Sequence, residues 1–572
     1  MPEKKIYDTI IKSEPITKGW SSDKKYCVET SNGQRMLLRV SDITEFDRKK
    51  VEYGMMERVY GFGVLTSEPI EFGLCNNGEN CYSLSGWLDG KNAEEVLPFM
   101  SETEQYVFGL KAGEILREIH TLSAPENAEP WCDWFYRKVQ GRIDFYNANS
   151  IKSENADIIV RYLQKNKRLL DGRPQAFNHG DFNKSNLMVT PDGQIGVIDF
   201  NCYNKDHGDP WWEFDPTNWG NEANKHYCTG LIKGYFTGEP PQEFFNLFSY
   251  YLAYDALAAL CDTSVGNQGK PEEGIRHLKN ILRWFDNMNN PVPSWYIKDF
   301  HVQYTDGVPY KLKSPFDFSF LKKYGKVFKV YDDQDSGNIC FGVTDGESKY
   351  FVKFAGAPTE RANVSPTEAV NRMKSTAQIY RDLAHPILTK LIDTEEIGGG
   401  YAMVFEWTDA ECMGKQYPAS REKFAQIPID TKLQVFDDIL AFHAHVAKQG
   451  YIAIDFYDGS IMYDFNNDRT IICDIEFYAK VPYINEMGRM WGSSRFMSPE
   501  EFQFGAVIDE ITNVYTMGAT AFALFGDECD RCIEKWRLSK ELYAAAKKAV
   551  SDERGKRQQS IQQFIEKWRE AK

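Results

Sequence analysis

Two polar loops of the same layout, about 270 residues apart, constrain this chain more than any other feature. The first, "FNHGDFNKSNLMVTPDGQIGVIDFN" (residues 177–201), sets Asp181, Asn186 and Asp199 among apolar runs, where burial without partners is costly. The second, "IAIDFYDGSIMYDFNNDRTIICDIEFY" (residues 452–478), repeats the layout with Asp455 and Asp474 but has Ser460 where the first has Asn186. A chain of 572 residues also exceeds what one hydrophobic core supports, so two or more domains are expected.

The surroundings of the loops repeat as well. In the first half "KKYCVET" and "RMLLRV" flank "SNGQ", and in the second "NICFGV" and "SKYFVKF" flank "TDGE". Both patterns predict strand, tight turn, strand. Each second strand ends near a cation between apolar neighbours, Arg39 and Lys353. A helix is predicted after each hairpin, "EFDRKKVEYGMMERVYGFG" and "SPTEAVNRMKSTAQIYRDLA", the latter opening on a good start signal. Further helical segments precede and follow each polar loop. The fold class is therefore α+β, one architecture used twice: a small β-rich lobe with one helix, then a larger helical lobe. Residues 291–311, in an Asn-, Pro- and Gly-rich stretch, are expected as a linker between domains at 1–290 and 312–572.

Asp181 and Asn186 stand five residues apart, and Asp199 follows eighteen after Asp181. Phosphoryl transfer needs a carboxylate beside the attacking hydroxyl and hard oxygen ligands that keep Mg²⁺ on the nucleotide phosphates. These residues supply that set. "HGDFNKSN", then "VIDF", then "GDPWWEF" resemble the aminoglycoside phosphotransferase family, which shares the protein-kinase fold, over roughly residues 1–290. The resemblance implies two tandem bilobal protein-kinase-like domains once the second half is included. For the first half it implies Asp181 as catalytic base, Asn186 and Asp199 as Mg²⁺ ligands, and His179 as an orienter of the loop. Gly19, Ser21 and Ser22 match its nucleotide-covering loop, and ATP or GTP with Mg²⁺ are the implied cofactors. Arg39 departs from the family's lysine; Glu52 is its expected helix partner. Asp206, Asp209, Glu213 and Asp215, beside Trp211 and Trp212, suit an amino sugar or amine as hydroxyl acceptor. Asp209 also admits a structural role, and core packing is the simpler role for the two Trp.

The region 312–572 resembles a Ser/Thr protein kinase domain. Lys353 takes the phosphate-pairing position, Asp455 the base and Asp474 the metal ligand. "SPE" at 498–500 resembles the end of an activation segment, with an arginine of "DERGKRQQ" as partner for Glu500. Its departures are Ser460 for Asn, Ala453-Ile454 before the base, Ile475-Glu476 after Asp474, and no glycine-rich loop. Glu368 is the nearest helical acid to Lys353, and Asp458 or Glu476 are substitutes for the missing metal ligand. Two readings stay open for this half: a protein kinase, or a pseudokinase whose role is regulatory.

A net charge of −16 and a pI near 5.2 argue against bulk nucleic-acid binding and admit a cationic partner. The start lacks the apolar core of a signal peptide, and no uninterrupted apolar run approaches bilayer-spanning length. The twelve Cys are scattered, with one lone C-x-x-C at Cys529 and Cys532. The expectation is a cytoplasmic protein with reduced thiols and no membrane partner.

Overall fold

Buried side chains alternate along the first strands, Val28 with Thr30 and Met36 with Leu38, the period of two that a sheet with one face on a core demands. The structure, a computed structural model, describes residues 5–17, 23–148, 154–202, 205–214, 224–264, 271–334, 336–362 and 364–572. It comprises two compact units, Met1–Phe300 and His301–Lys572.

In the first unit β1 (Ile10–Ile16), β2 (Lys24–Thr30), β3 (Arg35–Asp42), β4 (Pro69–Cys75) and β5 (Asn80–Gly86) form an antiparallel sheet of order β1-β2-β3-β5-β4. Helix α1 (Phe46–Phe62) packs on β4 and β5 and buries Met55 and Val59. The helical part contains Glu102–Ile119, Trp131–Ala148, Glu154–Lys165, Lys225–Phe236, Gln242–Ser264 and Pro271–Trp284. The helices at 102–119 and 225–236 touch backbone to backbone. A Cβ added at Gly113 would lie 2.1 Å from the Leu231 carbonyl oxygen, and one at Gly230 2.1 Å from that of Tyr106.

Helix Gln242–Thr263 is long and apolar enough to cross a membrane, which qualifies the sequence expectation; 83% of its apolar window is buried within the unit, as in a core helix. Phe244, Phe248, Tyr251 and Leu257 are among its buried residues.

The second unit has its own sheet: β6 (Lys326–Tyr331), β7 (Asn338–Thr344), β8 (Lys349–Ala355), β9 (Leu391–Ile397) and β10 (Gly400–Glu406), in the order β6-β7-β8-β10-β9. Helix α2 (Pro366–Asp382) starts from a capping box of Ser365 and Glu368. Helices Ile429–Lys448, Glu510–Phe525, Lys540–Ala549 and Ile561–Glu570 complete the unit around Phe436, Phe522, Phe525 and Trp568.

The stretch expected as a linker is structured. Trp295 docks edge-on against Trp284 and Phe248 in the first unit, and Val302–Thr305 pairs with Val308–Lys311 as a hairpin of the second. Its aromatic residues bury enough apolar surface to hold the turn-rich chain on a core. The chain divides between residues 300 and 301.

Candidate phosphotransfer site

The loop at 178–186 leaves the short strand Ala176–Phe177 and is held from beneath by one buried carboxylate. Glu213 accepts hydrogen bonds from the backbone N–H groups of His179 (2.6 Å) and Gly180 (2.5 Å). Burial works to raise the Glu213 pKa, but His120 and these donors outweigh it and keep the acid ionised below its ordinary range. Gly180 adopts φ +88°, and a Cβ there would lie 1.7 Å from the Asn201 carbonyl oxygen, so only glycine fits. His179 is fully buried and neutral, its pKa lowered by desolvation. Its Nδ1 accepts from the Asp181 N–H (3.2 Å), which leaves Nε2–H to donate to the Ile198 carbonyl (3.0 Å). One imidazole therefore ties the loop that carries Asp181 to the strand that delivers Asp199.

Asp181 accepts from Asn183 Nδ2 at Oδ1 (2.6 Å) and from Asn186 Nδ2 at Oδ2 (2.8 Å). Asn186 Nδ2 also reaches the Asp181 carbonyl oxygen at 2.9 Å. The amide nitrogen is thereby committed to orienting the carboxylate. Burial raises the Asp181 pKa, opposed by His179 and the two amides and assisted by the charge of Asp199. A carboxylate poised upward in this way is a better proton acceptor.

Asp199 follows the hairpin of Leu187–Val189 and Ile195–Val197 and has φ +66°, a left-handed conformation costly for a residue with a Cβ. Arg39 Nη1 lies 2.5 Å from its Oδ1 and Lys25 Nζ 3.6 Å from its Oδ2. Burial alone would raise the Asp199 pKa; Arg39 and Lys25 outweigh it and bring it down to about 2. Glu52 is not the hydrogen-bonded partner of Arg39. It pairs with Arg48 (2.6 Å) and Lys49 (3.0 Å), because α1 presents those cations one turn from it on its own surface. Gly19, Ser21 and Ser22 lie outside the described residues, as does Asp215.

Of the acids expected on the acceptor side, the three among the described residues, Asp206, Asp209 and Glu213, are engaged within the protein. Asp209 is fully buried and receives Arg173 Nε (2.6 Å), Tyr251 Oη (2.8 Å) and the Trp211 N–H (2.9 Å). Asp206 pairs with His207 at 2.8 Å. Trp212 packs edge-on against Phe135 and Tyr251, and Arg173 stacks on Trp211 at 3.9 Å. Asp209 and Glu213 thus stabilise the loop's foundation and are not available to a cationic acceptor.

In the second unit Asp455 and Asp474 also adopt left-handed backbone, φ +61° and +56°. Lys353 Nζ contacts Asp474 at 3.2 Å and Glu476 at 2.6 Å, while Arg372 Nε holds the other Glu476 oxygen at 2.7 Å. Burial works against the Lys353 ammonium, but the two acids raise its pKa well above the usual lysine range. Glu368 is bound instead to the Ser365 N–H (2.8 Å) and hydroxyl (2.9 Å). As the third residue of α2 it closes the cap, so its expected role with Lys353 falls to Glu476. Asp458 is clamped by Arg421 and Arg495, at 2.8 and 2.9 Å. Neither proposed metal-ligand substitute is therefore uncommitted. Ser460 Oγ donates to the Asp455 carbonyl at 3.5 Å. Glu500 receives two arginines of the C-terminal segment, Arg557 at 2.6 Å and Arg554 at 2.8 Å.

Sequence reasoning missed Lys25, Glu476 and Arg372 as partners at these sites. A cation opposite Arg39 in the predicted hairpin was the available signal for the first; for the others no local pattern existed.

With this geometry in view, residues 12–241 match the model of the phosphotransferase enzyme family. No curated protein matches the chain. The matched segment contains most of β1, all of β2 to β5, Arg39 and the whole polar loop, and implies a phosphotransferase of the kinase-like superfamily for the first unit. It ends before the second unit begins.

Proposed function

We propose that the first unit transfers the γ-phosphoryl group of ATP or GTP to a hydroxyl of a small molecule, an amino sugar or amine being the acceptor class the sequence suggests. The observation that carries this reading is the Asp181–Asn186–Asp199 constellation, closed by Arg39, inside the segment matched to the phosphotransferase family. Members of that family generally use ATP and Mg²⁺. The donors fit Mg²⁺: the Asn186 oxygen and the Asp199 carboxylate are hard ligands. Two protein donors suffice for an ion that takes much of its shell from phosphate and water. When bound there, Mg²⁺ would neutralise phosphate charge. Asp181 orients the acceptor hydroxyl and takes its proton, and Arg39 is the phosphate-facing cation. Asp181→Ala should lower turnover by about 10²–10⁴-fold with nucleotide binding retained. Unchanged turnover would sink the assignment.

The second unit we read as protein-kinase-like, with Lys353, Asp455 and Asp474 in the corresponding positions. The Lys353–Glu476–Arg372 network and Ser460 favour the regulatory alternative, in which this unit binds a nucleotide or a partner without transferring phosphate. Phosphorylation of itself or of casein, lost in Asp455→Ala, would establish the active form instead. For either reading the proposed setting is the cytoplasm, without nucleic-acid or membrane partners, as expected from the sequence.

A further inference from the structure

The register of β2 and β3 sets Lys25 directly opposite Arg39, on the same face of the sheet. Both side chains are largely buried, 11% and 19% exposed, and both point at one carboxylate, Asp199. The neighbouring acids are taken: Lys49 engages Asp23 (2.6 Å) and Glu52 (3.0 Å), and Arg48 also holds Glu52. Asp23 attracts Lys25 only at longer range. Two buried cations therefore share one close anion.

The second unit makes the point by contrast. The residue opposite Lys353 in the β7–β8 register is Cys340, buried and uncharged, and Lys353 meets two acids, Asp474 and Glu476. The first unit has an arginine in place of lysine on the third strand and adds an ammonium from the second. Asp23 and Glu52 balance the charge of the cluster at longer range, but Lys25 and Arg39 have one carboxylate between them as a close acceptor, and entering phosphate oxygens supply the acceptors that their remaining donors lack. A guanidinium fork with a compact ammonium suits adjacent oxygens of a polyphosphate.

We propose that Lys25 is a second phosphate-positioning residue of the first unit, forming with Arg39 a two-strand cationic clamp for the triphosphate of a nucleotide. The clamp rests on Asp199 in the structure described. Engagement of Asp199 by a cation frees both prongs for phosphate oxygens. This inference rests on the phosphotransferase reading of the same site.

The test is calorimetric titration of the full chain with the β,γ-imido analogues of ATP and GTP plus Mg²⁺, in a Lys353→Met background that silences the second unit. Adenosine and guanosine serve as phosphate-free controls. Lys25→Met should weaken triphosphate binding about tenfold or more, the worth of one charged hydrogen bond, and nucleoside binding less than about twofold. Lys25→Arg should recover most of the loss, with thermal melting unchanged. Triphosphate affinity unaltered in Lys25→Met overturns the proposal, as does equal weakening of nucleoside and triphosphate, which would make Lys25 structural. If the parent protein binds neither analogue, the phosphotransferase reading itself fails, and the clamp with it.

Discussion

Asp181 and Asp455 stand in loops of one layout, yet the two loops are kept in shape by different chemistry. In the first, neutral donors do the orienting: Asn183 and Asn186 hold the carboxylate, and His179 ties it to the strand before Asp199. In the second, ion pairs take over: Arg421 and Arg495 clamp Asp458, and Lys353 with Arg372 clamps Glu476. Both hold the aspartate that follows the hairpin, Asp199 or Asp474, in left-handed backbone. A shared strained backbone thus survives on either set of partners, while the chemistry available depends on single residues such as Asn186 against Ser460.

The largest effects should come from the buried ion pairs that anchor each unit. Removing Asp209, or Glu500, leaves buried arginine charge uncompensated, so Asp209→Ala and Glu500→Ala should each cost about 3–5 kcal/mol. Hydrogen exchange should report the first loss in peptides from 1–300 and the second in peptides from 301–572; a loss spread evenly over both would break the comparison. Next, Asn186→Ser imports the second loop's residue into the first. It should weaken Mg²⁺ dependence and kcat/KM by about 10–100-fold, while Ser460→Asn alone should not confer transfer, because Glu476 still holds Lys353.

Two acids should then show opposite pH signatures. Burial raises Glu501 from its ordinary 4.5 to about 7, so the folded protein holds that proton more tightly and stability falls as pH rises through that window. Asp199 is held at about 2 by Arg39 and Lys25 despite burial, so its contribution is present above the ordinary 3.8 and lost as pH falls toward 2. Urea midpoints across pH should lose the first slope in Glu501→Gln and the second in Asp199→Asn. Smallest of all, Glu368→Gln should change binding of a Mg²⁺–nucleotide analogue by less than about twofold, since a cap residue contributes only to its helix. A larger change than in Glu476→Gln would restore Glu368 to the site.

Much of the architecture was legible in local pattern. Alternating apolar runs around Asn-Gly and Asp-Gly turns announced the two hairpins, and Ser365-Pro-Thr-Glu announced the start of α2. The partners of charged groups were not legible. Glu52 and Glu368 sat at plausible helical spacings, but each had a nearer local use, with Arg48 and Lys49 or with the Ser365 cap. Nor did Gly113 and Gly230 declare a helix crossing, although each faces the other helix's backbone.

The sequence by itself determined the repeated hairpin–helix–loop order and which residues could carry phosphate chemistry, because periodicity, turn residues and loop spacing are local properties. Only the tertiary structure decided which charges meet. Lys25 and Asp199 lie 174 residues apart, and Lys353 and Glu476 are 123 apart. Sheet register and buried electrostatics, which no local window contains, brought them within bonding reach.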